Sequence, residues 1–279
     1  MKITVIIPTL ANEKSLPYLT KCVETIRKNS EEHHDILIMV NGENFPTLSK
    51  LPARTFFTRT QGQCNAVNEL AKMVETEWMM VSDDDSMFPP QWERLFENID
   101  KSDVLCMNSM ESGKIGAAPP FVVNNCGLTA ADFDQEKFEK DSLDLGMSDI
   151  KVKAGEGLEP GFSFPFLVKK SLWDKVGGYD LAYDPWGSNC DSDLHYKFKL
   201  AGVQPLRDRR ILNYHFSQIS GTFEPAQNNY WQRNRSYFER KWGFRRADSP
   251  EIWNLITIPY EQLTYKPTWM KPNEKDTTV

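Results

Sequence analysis

Neither GxGxxG nor GxxxxGK(S/T) follows the first apolar run of this chain, which argues against a dehydrogenase-like or P-loop nucleotide site. Its five cysteines, Cys22, Cys64, Cys106, Cys126 and Cys190, are odd in number, far apart and never in a CxxC pair. That spacing excludes a thiolate zinc site or a disulfide framework and points to a reducing, cytoplasmic setting. No apolar run approaches the ~18 residues that a membrane span requires. The opening run Met1–Pro8 is too brief for a signal peptide and no small-residue cleavage site follows it. Positive charge is in deficit, with 33 Lys and Arg against 39 Asp and Glu, so nonspecific nucleic-acid binding is not expected. There is no internal repeat, and no linker long enough to separate two independent domains.

What the 279 residues do contain, at 40% hydrophobic and 26% charged, is the composition of a soluble globular protein. The length suits one large α/β domain or a domain with an appendage. Lys2–Ile7 is nearly all β-branched or apolar, as in a strand covered on both faces, and Pro8-Thr9 ends it. Ser15 is placed as a helix cap, and Leu16, Leu19, Val23 and Ile26 supply the buried stripe of that helix. Further strands are expected at Asp35–Val40, Arg54–Thr58 and Glu77–Val81, with a helix opened by Gln61-Gly62-Gln63 before the last. This rhythm predicts a parallel, mostly buried sheet whose ligands sit at the carboxyl ends of its strands.

Beyond residue 90 the pattern predicts a short helix over Gln91–Ile99 and strands at Val104–Asn108 and Phe121–Leu128. Phe164–Val168 reads as extended, Ser171 as the cap of a short helix, and Asp191–Leu200 as a helix closed by Gly202. Arg210–Tyr214 reads as a strand ending at His215. Between Asp132 and Asp144, six acidic residues and two lysines suggest a solvated face or a mobile segment.

The chemistry concentrates at strand ends. In Val81-Ser82-Asp83-Asp84-Asp85-Ser86, alternation along an extended chain turns Asp83 and Asp85 to one side and Asp84 to the other. Just past a strand, such a pair suits a hard divalent cation shared with phosphate oxygens; an acidic surface turn is the other reading of the same residues. Asn12, Asn41, Arg59 and Asn65 sit at or after the other strand ends, where side chains and loop amides would hold a nucleotide.

Taken in order, the motifs are Ile6-Ile7-Pro8-Thr9 with Asn12-Glu13, Asn41-Gly42, Gly62 with Asn65 and Asn68, and Asp83-x-Asp85. They continue with Val176-Gly177-Gly178-Tyr179-Asp180, Cys190-Asp191-Ser192-Asp193-Leu194 and His215. Over about residues 2–215 the chain resembles the family 2 nucleotide-sugar glycosyltransferases with the A-type glycosyltransferase fold. The resemblance implies an α/β, Rossmann-like architecture, a mostly parallel central sheet flanked by helices with a small antiparallel acceptor-side part. Residues 1–224 would form the catalytic domain, with 1–110 the nucleotide-binding half and 111–224 the acceptor-binding and catalytic half.

By the same resemblance Thr9, Asn12, Glu13, Asn41 and Arg59 surround the nucleotide, although the family commonly has an acidic residue where Asn41 stands. Gly62 and Asn65, with the start of their helix, would lie near the ribose or diphosphate, where helix amides favour anions. Asp83 is assigned to the ribose side, Asp84 to a supporting place, and Asp85 with His215 to the metal, Mn²⁺ or alternatively Mg²⁺. Asp191 would be the general base, beside Cys190 where the family has an acidic residue, with Asp193 as the alternative or supporting group. Trp186 and Gly187 would form an acceptor wall, and Phe162, Ser163 and the Gly155–Gly161 loop would line a sugar pocket. The implied reaction moves a sugar from a nucleoside diphosphate, UDP favoured, to a hydroxyl of a saccharide or glycoconjugate, with inversion at the anomeric carbon.

Two other readings stand beside this one. A nucleotidyltransferase also uses paired Asp residues with Mg²⁺, but needs a glycine- and Lys/Arg-rich loop that Ile7–Asn12 lacks. A noncatalytic nucleotide-sugar or glycan-binding protein on the same fold is the non-enzyme reading. The extension 225–279 interleaves Tyr230, Trp231, Tyr237, Phe238, Trp242 and Phe244 with arginines and lysines, and one helix over about Ala226–Lys241 fits it. Its stripe suits packing back on the sheet, covering the acceptor site, pairing with another subunit, or a peripheral membrane contact.

Overall fold

The computed structural model describes residues 1–41, 46–112, 121–148, 157–216, 228–244 and 260–270. Gly42, the loop 113–120, Gly155, Ala226, Arg245, Arg246 and the tail past residue 270 lie outside these. In chain order the elements are β1 (Thr4–Thr9), α1 (Leu16–Asn29), β2 (Asp35–Val40), β3 (Arg54–Phe57), α2 (Gln63–Lys72), β4 (Trp78–Val81) and β5 (Ser86–Met87). There follow β6 (Val104–Glu111), β7 (Val122–Val123), α3 (Gln135–Ser148), β8 (Leu158–Pro160), β9 (Phe166–Lys169) and α4 (Lys170–Val176). The last elements are α5 (Cys190–Leu200), β10 (Leu206–His215) and α6 (Asn228–Trp242).

One mixed sheet runs β3-β2-β1-β4-β9-β6-β10-β5, with β7 beside β6 and β8 beside β10. The first four strands of that order are mutually parallel, and β9 is inserted antiparallel between β4 and β6. Because β6 and β10 are again parallel, β1, β2, β4, β6 and β10 all end on the same edge of the sheet. Successive strand residues feed opposite faces, as the pleat requires. Val5 and Ile7 enter one core cluster with α1 residues, while Ile6 enters the other, with α2, α4, α5 and α6.

Pro8 and Thr9 are the last two residues of β1 and do not lie beyond it. Ile6 O accepts from Ser82 N, so the even-numbered residues of β1 face β4, whose last pair is Ile6 with Val81. Pro8 therefore lacks an N–H only where β4 has already stopped, and the strand continues paired to β2. The acidic stretch expected to be solvated or mobile is α3, packed on β10. Phe138 is wholly buried, Leu145 packs against the core, and a Cβ on Gly146 would strike the Arg210 carbonyl. So narrow an apolar face is diluted by the charges around it, such as Lys137 paired with Asp141 and Glu139 with Lys28.

Smaller differences have local causes. The turn over Trp92–Asn98 is a 3₁₀ helix, and the strand expected over Phe121–Leu128 is only Val122–Val123. Ser15 stands at the N-cap of α1, but the Asn12 carbonyl oxygen Oδ1 accepts from Lys14 N and Ser15 N, both at 2.9 Å. Ser171 lies inside the first turn of α4, whose N-cap is Lys169. The extension packs back: Phe238 and Trp242 of α6 are buried in the same cluster as α5. No helix among the described residues is long and apolar enough to cross a membrane.

Candidate active site

Strand ends and one loop enclose a cavity of about 630 Å³. Thr9 comes from the end of β1, Asn41 from just past β2, Asp83–Asp85 from the turn after β4 and His215 from the end of β10. The segment before α5 adds Pro185, Trp186, Gly187 and Ser188, and the first turn of α5 adds Asp191. Such a location, outside the carboxyl ends of a largely parallel sheet, is where α/β folds bind ligands.

Thr9 Oγ1 donates to Asp84 Oδ2 at 2.6 Å, drawing Asp84 toward β1. Asp83 and Asp85 instead gather with His215, the ligand atoms of the three lying within 4.8 Å of one another. His215 Nε2 stands 3.6 Å from Asp85 Oδ1, while Nδ1 meets Glu111 Oε1 at 3.1 Å. Glu111 ends β6 directly beside His215 in the parallel register, so the two strand ends set the ring orientation together. A carboxylate on the far nitrogen is how a metal-ligating imidazole is normally held. Two carboxylates and one imidazole in this arrangement form a candidate divalent-cation cluster, with a donor set that fits Mn²⁺ or Mg²⁺.

The cluster is crowded with like charge. Burial and the Asp85 carboxylate push Asp83 well above the usual carboxylate range. The same two causes lift Asp84 to about 7 against the Thr9 hydrogen bond, and burial raises Asp85. Burial alone would lower His215, but Asp85, Glu111 and Asp83 outweigh it and hold the imidazole up to about 9. Each shift comes from negative charge gathered out of water, which a bound cation would relieve.

Asp191 is held by its surroundings. The Tyr179 hydroxyl donates to Asp191 Oδ1 at 3.0 Å and the Cys190 thiol to the same oxygen at 3.3 Å. Burial and the Asp191 charge keep Tyr179 well above its ordinary pKa, so the phenol stays a donor. Asn68 clamps the Tyr179 backbone from α2, giving Nδ2 to its carbonyl at 2.8 Å and taking its N–H at 2.9 Å. Gly178 permits that approach, since a Cβ there would meet Asn68 Oδ1.

Asp193 faces the other way and does not line the cavity. It is wholly buried and meets Tyr183 OH at 3.1 Å, Trp242 Nε1 at 2.9 Å and Lys241 Nζ at 2.8 Å. The start of α2 also departs from expectation. Its amides at Cys64 and Asn65 donate to the two oxygens of Asp184, both at 2.9 Å, so a protein carboxylate takes the place expected for a diphosphate. Gly62 is required there, because a Cβ would collide with the Asp184 carboxyl group.

Residues 4–116 match the family model described as Glycosyl transferase family 2. Solved structures add the A-type glycosyltransferase fold. S. aureus TarS aligns over 89% of this chain and 45% of its own at 16% identity and a TM-score of 0.53. GalNAc-T7, described with UDP, GalNAc and Mn²⁺, aligns over 86% of this chain and 50% of its own at 12% identity and a TM-score of 0.55. TarS residues 1–349 align over 89% of this chain and 74% of theirs at 16% identity and a TM-score of 0.52. This chain thus spans about half the length of the first two. No curated protein matches it.

Of the residues singled out from the sequence, the cavity brings together Thr9, Asn12, Asn41, Gly62, Asp83, Asp84, Asp85, Trp186, Gly187, Asp191 and His215. Glu13 and Arg59 are exposed outside it. Asn65 gives its backbone to Asp184 and likewise does not line the cavity. Phe162 stacks on His195 with ring centroids 5.4 Å apart, and Ser163 braces Met107 O and Arg207 Nε at 2.6 and 3.1 Å. Both therefore belong to packing away from the cavity. Lys14, Tyr18, Gln61, Gln63 and Ser188 line the cavity without having been singled out for it, and Glu111, Tyr179 and Asp184 orient it from behind. Tyr179 and Gly62 stood inside quoted motifs; Glu111 and Asp184 carry no local signal, since their partners lie 104 and 120 residues away.

Proposed function

We propose that this chain is an inverting, cation-assisted glycosyltransferase that moves a sugar from a nucleoside diphosphate, UDP favoured, to a hydroxyl of a saccharide or glycoconjugate. The observation that carries the reading is the meeting of the Asp83, Asp85 and His215 cluster with Asp191 in one cavity. The donor end is supported by Asn41, which lines that cavity with its Oδ1 buried and unpaired among the described residues, an acceptor aimed at a base or ribose donor group. GalNAc-T7, which shares the fold, is described with UDP and Mn²⁺, and that supports the choice of donor and cation.

In this reading Thr9, Asn12 and Asn41 hold the nucleoside side and Asp83 takes the ribose side. Asp85 and His215 would hold a divalent cation, Mn²⁺ or Mg²⁺, which would neutralise charge gathering on the departing diphosphate. Trp186 and Gly187 wall the acceptor. The acceptor hydroxyl is a weak nucleophile, so Asp191 takes its proton as the oxygen attacks the anomeric carbon. One base acting on the face opposite the leaving group gives inversion without a covalent sugar intermediate. Tyr179 and Cys190, both donating to Asp191 Oδ1, orient the carboxylate for that task.

The test is release of free nucleoside diphosphate from a panel of nucleotide sugars, with Mn²⁺ or with chelator. Asp191→Asn is expected to lower turnover by about 10²–10⁴-fold while keeping the Mn²⁺-dependent rise in melting temperature. Asp85→Asn is expected to lose both. Full turnover in Asp191→Asn would remove it as the base, and retained metal-dependent turnover in His215→Ala would remove His215 from the ligand set.

A further inference from the structure

The aromatic wall does not stop at the cavity. Trp186, at the cavity edge, faces Tyr230 of α6 with ring centroids 6.2 Å apart and planes inclined at 57°. Tyr230 and the next residue, Trp231, are 37% and 38% exposed, unusual for large rings that a helix could have turned inward. The Tyr230 ring is nevertheless held. The Arg233 guanidinium lies 5.3 Å from its centroid and donates to the carbonyls of Ala182 and Asp184, in the same segment that leads into Trp186. Asn234, wholly buried, donates to Tyr183 O at 2.7 Å, so α6 is fastened to that segment one residue further along. An exposed ring fixed from beneath by a tethered cation is a preorganised surface, which binds without first losing side-chain freedom.

Resting on the glycosyltransferase reading above, we propose that Tyr230 continues the Trp186 wall as a platform for a second sugar ring, so that the acceptor is an oligosaccharide or glycan rather than a monosaccharide. Two features favour this occupant over a lipid surface. The platform is continuous with a cavity into which the carboxylates of Asp83, Asp84, Asp85 and Asp191 are gathered. It is also interleaved with guanidinium groups, Arg233 over Tyr230 and Arg235 over Trp231 at 5.6 Å, that leave only small separate apolar faces. Sugar rings present one apolar face flanked by hydroxyls, which matches flat aromatic surfaces edged by hydrogen-bonding groups. A membrane-binding patch would instead join apolar side chains into one larger face.

The probe is a chain-length series of soluble oligosaccharides of one to six units, drawn from gluco-, galacto- and chito-oligosaccharides. Binding is read by tryptophan fluorescence on the full chain with Mn²⁺ and UDP. Affinity is expected to rise from one unit to two or three, and Tyr230→Ala is expected to lose that rise, roughly tenfold, the loss of one aromatic stacking contact. Tyr230→Phe, which keeps the ring, is expected to retain it. Urea unfolding of each variant excludes a folding defect as the cause. No gain with chain length in the native protein, no saccharide binding at any length, or a gain that survives Tyr230→Ala overturns the proposal. So does Tyr230-dependent binding to anionic phosphatidylserine vesicles in place of saccharides. Failure of the glycosyltransferase reading is distinguished by UDP and Mn²⁺ producing no Asp85-dependent thermal shift in the same samples; if that shift stands, only the second-ring platform falls.

Discussion

Two groups of carboxylates, one around Lys241 and one in the turn after β4, are treated in opposite ways by the protein. Asp180 and Asp193 are met by cations of the chain itself. Lys241 Nζ stands 2.7 Å from Asp180 and 2.8 Å from Asp193, Lys197 adds a contact of 3.7 Å to Asp193, and Tyr237 donates to Asp180 at 2.8 Å. Burial works against the Lys241 charge, yet Asp193 and Asp180 raise its pKa overall, and Asp180 falls below its ordinary value as those partners outweigh its own burial. Past the end of β4, by contrast, Asp83 and Asp85 gather with His215 as the nearby basic group while Asp84 turns to Thr9, and all three carboxyls are raised. A charge group complete in itself is a fastening; one that lacks positive charge is built to receive it.

The largest effect that separates the two groups is at Lys241. Lys241→Met leaves Asp180 and Asp193 buried without their main counter-charge, and is expected to lower unfolding free energy in urea by about 3–5 kcal/mol. Adding Asp193→Asn to that variant should restore part of the loss. An unchanged midpoint would mean that the inner group is not fastened by charge. At the other group the matching change is Glu111→Gln, which removes the carboxylate behind His215 Nδ1. It is expected to weaken Mn²⁺ affinity by about 10–100-fold in a calorimetric titration while stability without cation changes little. An unaltered Mn²⁺ affinity would break the link between the two strand ends.

The smallest effect is read by pH. A group whose pKa is raised on folding, whether acid or imidazole, binds more protons folded than unfolded, so its contribution to stability is lost as pH rises. Asp84 has lost most of its share by its folded value of about 7, and His215 loses its share between its unfolded value near 6.5 and about 9. In chelator the melting temperature is therefore expected to fall between pH 7 and 9, and saturating Mn²⁺ should flatten that slope. His195, which burial lowers to about 3, acts in the opposite sense below pH 6.5, where unfolding takes up its proton. Its loss there, about 1.4 kcal/mol per pH unit, should vanish in His195→Phe while the alkaline slope remains.

Much of this organisation was legible in the residues. Apolar runs with no polar face marked β1, β2 and β4, and Asp83 and Asp85 do come together with Asp84 apart, although the three lie in a turn past β4 and not in a strand. His215 and Asp191, singled out because their motifs fall in order along the chain, both line the cavity. What stayed hidden was pairing over distance. Lys241 looks like one more charge in a basic helix until Asp180 and Asp193 are found 61 and 48 residues away. The helix α3 was concealed for the opposite reason, because its buried stripe rests on few side chains, Phe138 and Leu145 foremost, among charges that answer to solvent.

The Asp184 cap bears on how a nucleotide and a cation would bind together. The Cys64 and Asn65 amides at the positive end of α2 are already taken by Asp184, so that end offers a diphosphate less than an uncapped helix would. Among the described residues lining the cavity, Lys14 and His215 are the basic ones, set against Asp83, Asp84, Asp85 and Asp191. In the proposed reaction a nucleotide entering alone would add anion to anion, and a cation entering first would remove that repulsion. Each would then strengthen the other's binding by the same factor, a heterotropic linkage that follows from the charge count of the cavity.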